Sequence, residues 1–305
     1  MRKRFDMRRP HRWPAAVLLL AGPPLPAGPI TSPRWGQEGH EIVGLTAVAK
    51  LPLAMPAFFR DAPARFAYLN YEPDRWRSEG TPEANEAFRY DHYVDLEVVP
   101  DSAWVVQDRF EFLALMQRTG MAMPERDAGL LPFAIMELYE RVAIAFRQWR
   151  AESDPDRKRW IEQRIVNDAG ILGHFVADAA NPHHTTVHHN GWAADRPNPR
   201  GFSTERTFHA RFESEYVRAH LKVDDVLPVA VAPVHQVLEL RAGVLAYIRA
   251  SHGQLERLYE LEQQESFGPG TVNAAHKRFT AERLAAGATM LRDLWWSAWL
   301  QSATM

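Results

Sequence analysis

The sequence predicts an all-α fold, a compact single-domain multi-helix bundle with a long irregular N-terminal segment. Three observations lead there. Six stretches place apolar residues at spacings of three and four, no alternation of polar and apolar residues is long enough for a sheet, and proline and glycine punctuate residues 52 to 130. The first helix is read from "HEIVGLTAVAKL" (40 to 51), where Ile42, Val43, Leu45, Val48 and Ala49 share one face. Residues 52 to 130 form the irregular part, with "YLNYEPDRWRSEGTPEAN" as an extended loop. Helices follow at "PFAIMELYERVAIAFRQW" (132 to 149) and "RKRWIEQRIVNDAGILGHFVADAA" (157 to 180). The next is "TERTFHARFESEYVRAHL" (204 to 221), with Thr204 as its N-cap. The set closes with "VAPVHQVLELRAGVLAYIRASHGQLERLYEL" (231 to 261) and "TAERLAAGATMLRDLWWSAWL" (280 to 300).

At 305 residues the chain has room for two domains or one helical one, and the helices read as one domain over residues 35–305. With 46% hydrophobic and 24% charged residues it is expected to be soluble and globular. A net charge of −2 gives no global basic field, so any affinity for phosphate must be local. Cysteine is absent, which excludes disulfides and thiolate zinc sites and leaves only nitrogen and oxygen as metal ligands.

Residues 1–34 read as a signal peptide with a short pro-segment. "MRKRFDMRRPHRW" is basic, "PAAVLLLAG" is a brief apolar core, and small residues and prolines follow. That apolar run is shorter than the roughly 20 residues a membrane-spanning helix needs. The expected destination is secreted or periplasmic; the alternative is a cytosolic basic tail beside an apolar patch.

The stretch "GHFVADAANPHHTTVHHNGW" (173 to 192) holds five of the chain's 13 histidines. His174 and Asp178 stand four apart on a helix and therefore face the same way, and His209 and Glu213 in "FHARFE" repeat the device. Each pair is either a surface ion pair or a pair of ligands to one ion. Asn181 and Pro182 break the first helix, and His184 follows where the returning chain offers a further ligand. His183, His188 and His189 are expected in solvent. "PDRW" puts Asp74 in a loop, and "YDHYVDLE" sets His92 between Tyr90 and Tyr93, an unusual place for a solvated imidazole.

With "WGQEGH" (35 to 40), these residues in this order and spacing resemble the secreted trinuclear zinc phosphodiesterases, the zinc-dependent phospholipases C and the single-strand-specific zinc nucleases. "HFVADAANPHH" matches the family's His-x-x-x-Asp, five-residue gap, His pattern, and "RLAAGATMLRDLWW" resembles its last helix. The likeness spans Trp35 to about Trp296 in six separated segments. It implies three zinc ions. Trp35, as the mature N-terminus, would hold one through its α-amino nitrogen and carbonyl oxygen together with His40. Asp74, His92 and His174 would hold another, with Asp178 bridging these two, and His184, His209 and Glu213 would hold the third. A water activated between the Asp74 and Glu213 ions is the implied nucleophile, and Asp74 is the implied catalytic carboxylate. An amide nitrogen cannot ligate as a free amine does, so the resemblance also implies cleavage between Arg34 and Trp35, after a first cut near Ala27 or Gly28.

The marks of the two branches conflict. "WGQEGH" is nuclease-like and "FHARFE" phospholipase-like, since the nucleases carry Trp and Asp where this chain has Phe212 and Glu213. Where the phospholipases cage choline with aromatic residues this chain has Arg75 and Arg89, which suit an anionic or polar headgroup better than a quaternary ammonium. Asn190 and Trp192 stand where the nucleases read a base, and Trp192 is either a stacking platform or a loop-packing residue. The expected substrate is a phosphodiester, phospholipid first and single-stranded nucleic acid second, with a non-catalytic zinc-binding protein as a further alternative. No stable protein partner is implied. "LWWSAWL" near the C-terminus is read either as core packing or as a transient contact with a membrane surface.

Overall fold

The computed structural model describes residues 36–78 and 80–304. The expected leader and Trp35 lie outside the described residues. Among these the protein is all-α, and its only β-type pairings are isolated bridges, Val94 with Gly129 and His189 with Gly191. The longer helices are α1 (Gln37–Ala49), α2 (Arg109–Arg118), α3 (Leu131–Ala151), α4 (Pro155–Ala180), α5 (208–220), α6 (Leu240–His252), α7 (Leu255–Gln264) and α8 (Ala274–Gln301). No helix among the described residues is long and apolar enough to cross a membrane.

Helix α4 lies at the centre, packed on α1, α3 and α8. Asp154 starts it: its carboxylate accepts from the Asp156 and Arg157 N–H groups at 2.9 Å, and Pro155 occupies the first turn, where a missing N–H costs nothing. Its C-terminal half, from Asp168 to Ala180, is buried throughout, so the residues it carries there meet other protein rather than water.

Near the C-terminus, the tryptophans of α8 are used in packing. Trp295 is fully buried against Phe59 and Phe66, with ring centres at 5.2 and 4.7 Å, and its indole N–H donates to the Ala169 carbonyl. Trp299 carries the Arg150 guanidinium 3.3 Å above its ring, and Trp296 packs half-buried on the core.

Three expectations about local structure need correction. Residues 57 to 127 are a string of helical turns, Asp74 sitting in one of them (Glu72–Arg75), rather than an extended loop. The prolines explain it: Pro63, Pro73, Pro82 and Pro124 each occupy a first or second helical position, so residues that stop a helix here start short ones. The helix expected over 231 to 261 is two, and residues 231–239 are not helical. Their backbone is satisfied by side chains of α8 instead: Arg292 donates to the Val231 and Pro233 carbonyls, Asp293 accepts from His235 N–H and Ser297 Oγ from Val237 N–H. Finally, α5 begins at Phe208 after Thr207, so Thr204 is no cap. Ser203 and Thr204 are held against Trp192 and Gly191: the Trp192 N–H donates to Ser203 O at 2.8 Å, and a Cβ on Gly191 would stand 2.5 Å from the Thr204 carbonyl carbon.

Candidate metal centre

Six segments deliver eight of the expected side chains to one buried region. His40 comes from α1, Asp74 and His92 from short turns, His174 and Asp178 from the buried end of α4, His184 from the 3-10 turn after it, and His209 and Glu213 from α5. In three groups the ligand atoms lie close enough to share an ion: His40, His174 and Asp178; Asp74, His92 and His174; His184, His209 and Glu213.

Asp178 is the hub. Its carboxylate lies 3.0 Å from His92 Nδ1, 3.2 Å from His174 Nε2, and 3.6 Å from both His40 Nε2 and His184 Nδ1. His174 Nε2 and His92 Nδ1 are themselves 2.9 Å apart, and Asp74 stands 3.9 Å from the same His92 nitrogen. His184 connects this set to the third group, its Nε2 3.3 Å from Glu213, whose same oxygen lies 2.9 Å from His209 Nε2. Imidazole 174 and carboxylate 213 therefore belong to one continuous constellation.

The protein aims these rings from outside the cluster. The Asn70 carbonyl accepts from His174 Nδ1 at 2.7 Å and the His92 carbonyl from His184 Nδ1 at 2.6 Å, which leaves each Nε2 facing inward with its lone pair. His92 is held by its own turn: Arg109 binds Asp91 at 2.9 Å and Glu137 at 2.6 Å, and Val94 N–H donates to His184 O. The turn passes so close to Gly129 (φ +78°) that a Cβ there would stand 2.2 Å from the Tyr93 carbonyl oxygen. Glu213 sits where α5 widens into π-type turns over Arg211–Tyr216, a departure from α geometry that is frequent at functional sites. Asn181 steadies it, donating to Glu213 at 2.9 Å.

The donor set fits a divalent metal. Imidazoles and carboxylates without thiols suit zinc and other borderline ions. Both ring nitrogens of His40 and one oxygen of Glu213 are buried without a hydrogen-bond partner among the described residues, a costly arrangement unless something electropositive is bound there.

Electrostatics point the same way. Burial opposes the charge on Asp178, but the surrounding His184 and His174 outweigh it and hold its pKa well below the ordinary carboxylate value. Burial likewise works against a charged His184, yet Asp178 and Glu213 push its pKa up to about 9. A raised pKa contributes stability that is complete below the unfolded value of about 6.5 and is lost as pH rises through about 9. In chelator-treated protein at pH 7 this ring thus carries a proton that a metal must displace. Zinc titration by calorimetry, in two buffers of different ionisation enthalpy, should show about one proton released at this ring at pH 7 and none above pH 10. A heat that does not change with buffer would contradict this.

The remaining expected positions fare differently. Arg75 is engaged by Glu72 at 2.7 Å and lies over the Tyr68 ring, and Arg89 pairs with Glu86 at 2.9 Å. Asn190 and Trp192 line a cavity of about 290 Å3 with His189 and Arg206. One face of Trp192 is covered by His188, with ring centres 3.8 Å apart, and its N–H donates to Pro197 O, so it packs the loop. His189 is exposed as expected, but His183 and His188 are buried, contrary to expectation. Phe208, Phe212 and Tyr259 enclose His183, and His188 Nδ1 accepts from Ala193 N–H. The sequence reading missed Asn70 altogether and took Asn181 only for a helix breaker.

No protein-family model matches the chain, and no curated protein does. Among solved structures it is similar to the alpha-toxin of Clostridium perfringens isolated from avian strain SWCP, with a TM-score of 0.42 and 12% sequence identity. The match covers 88% of this chain but 65% of the toxin chain, so the protein spans just under two thirds of the structure it matches. The chemistry of the site rests on its own residues.

Proposed function

We propose that the protein is a zinc-dependent phosphodiester hydrolase of the phospholipase C type. The observation that carries this is the convergence of eight imidazole and carboxylate side chains from distant segments, Asp178 and Glu213 among them, into three groups each able to hold an ion. His40 and Asp178, completed by Trp35 after processing of the leader, hold the first zinc; Asp74, His92 and His174 the second; His184, His209 and Glu213 the third. Bound zinc supplies charge stabilisation for the phosphoryl oxygens and lowers the pKa of water from 15.7 to about 7. The protein's part is to place and balance that charge. Asp74, Asp178 and Glu213 return three negative charges, leaving the pocket roughly +3 and able to draw in a phosphodiester anion despite the net −2 of the chain. Asp74 orients the attacking water and accepts its proton. Asn70 and Asn181 keep the rings and Glu213 in position while the substrate's charge redistributes.

A lipid phosphodiester is favoured over nucleic acid because His188 covers a face of Trp192, the aromatic surface on which a base would stack. Secretion or periplasmic export, with residues 35–305 as the mature domain, belongs to the same proposal, and intact mass of the exported protein should place its first residue at Trp35. The deciding experiment sets purified protein against a panel of phospholipids and against single-stranded nucleic acid, with elemental analysis of bound metal. Diacylglycerol as product supports the proposal; 5′-phosphorylated nucleotides would replace it with a nuclease. Asp74→Ala should abolish hydrolysis while sparing most of the zinc, and a wild type that binds zinc but turns over neither substrate is a zinc-binding protein only.

A further inference from the structure

Away from the metal centre, a groove of about 440 Å3 runs between α8, Tyr247 of α6 and the segment at Val229 and Val231. Its walls are largely apolar, and the two valines are 41% and 49% exposed. Two acids border it, and both are already paired: Glu282 with Arg278 at 2.8 Å, and Asp293 with Arg292 at 2.7 Å. Arg283 is the exception. Its Nε is buried without a hydrogen bond, and its guanidinium forms no ion pair among the described residues. Burial pulls its pKa below the ordinary arginine value, against the pull of Tyr247 and Glu282, as expected for a cation whose charge is poorly compensated. Thr289 Oγ1, on the same groove, is also buried without a partner.

We propose that this groove binds a monocarboxylate with a short apolar chain, the carboxylate seated on the Arg283 guanidinium and the chain lying over Val229, Val231 and Met290. A planar guanidinium takes a carboxylate through two parallel hydrogen bonds. The volume lies in the range of small-molecule sites. A single unpaired cation balances one negative charge; a phosphate dianion would leave excess charge facing Glu282 and Asp293. The site is independent of the reaction proposed above.

Titration calorimetry of the intact protein with sodium octanoate, 1-octanol and inorganic phosphate tests it. Octanoate should bind at one per chain and 1-octanol at least about tenfold more weakly, since the alcohol lacks the charge-assisted bonds. Phosphate should not displace octanoate. Arg283→Gln should weaken octanoate at least about tenfold, and so should Ala286→Phe, which keeps the charge but fills the groove. Far-UV circular dichroism checks that both variants are folded. Octanoate binding equally well to Arg283→Gln and wild type, displacement by phosphate, or no octanoate binding to the wild type overturns the proposal.

Discussion

Asp178→Asn should prevent metal binding at two of the three ligand groups and abolish the hydrolysis proposed above. The carboxylate lies within 3.6 Å of four imidazoles, so it is the one negative charge common to the His40 and His92 sides of the site. Asparagine keeps the volume and removes the charge, which separates electrostatics from packing. Residues that merely orient a ligand cost 10–100-fold in metal affinity when changed; a bridging carboxylate should cost more than about 100-fold. The His184, His209 and Glu213 group keeps its own carboxylate and should retain an ion. Elemental analysis of dialysed protein would read this directly, and a full metal complement in the variant would exclude Asp178 as a shared ligand. A second readout follows from the charge. With Asp178 neutral, the burial that opposes a protonated His184 loses its main counterweight, and the pKa of that ring should drop from about 9 toward the ordinary value or below. Proton release on zinc binding at pH 7 should shrink accordingly.

The long helices were legible because their evidence is local. Apolar spacing over 15 to 25 residues carries α3, α4 and α8, and the structure moves their ends by only a few residues, apart from an earlier start of α8 at Ala274. The segment 231–239 was misread for a physical reason: its apolar residues suit a helix, but its backbone is bonded to Arg292, Asp293 and Ser297, some 60 positions further on. The candidate site divides the same way. His174 with Asp178 and His209 with Glu213 announce themselves by four-residue spacing, and Asp74, His92 and His184 were found through order and resemblance. Nothing local marks Asn70, whose partners are a backbone carbonyl 30 residues before it and an imidazole 104 residues after it. Nor does any neighbour in sequence show that His183 is enclosed, since the aromatic rings around it come from α5 and α7.

Asn70 also sets up the second large effect. It lies between two helices at two glycines: a Cβ at Gly44 of α1 would come within 2.6 Å of its Nδ2, and one at Gly173 of α4 within 2.1 Å of its Oδ1. From that slot its side chain donates to His40 O, and its backbone carbonyl accepts from His174 Nδ1. On helix propensity alone, Gly173→Ala should stabilise the protein by up to about 1 kcal/mol. The contact decides otherwise, because Asn70 is fully buried and has nowhere to retreat. Overpacking of this kind costs about 1–3 kcal/mol, so the variant should melt several degrees lower. Displacing Asn70 also frees the His174 ring to turn, and metal affinity should drop about 10–100-fold. Gly287→Ala, whose Cβ would come no closer than 3.3 Å to Ala180 Cβ and 3.5 Å to the Val43 side chain, should leave metal uptake intact and serves as the control. Adding Asn70→Ala to Gly173→Ala removes the clashing side chain but keeps the backbone carbonyl that accepts from His174 Nδ1, so it should recover part of the lost stability and part of the lost metal affinity, a coupling that a double-mutant cycle measures. If Gly173→Ala alone raises the melting temperature and binds zinc as the wild type does, the close packing of α4 on Asn70 is not what orients His174.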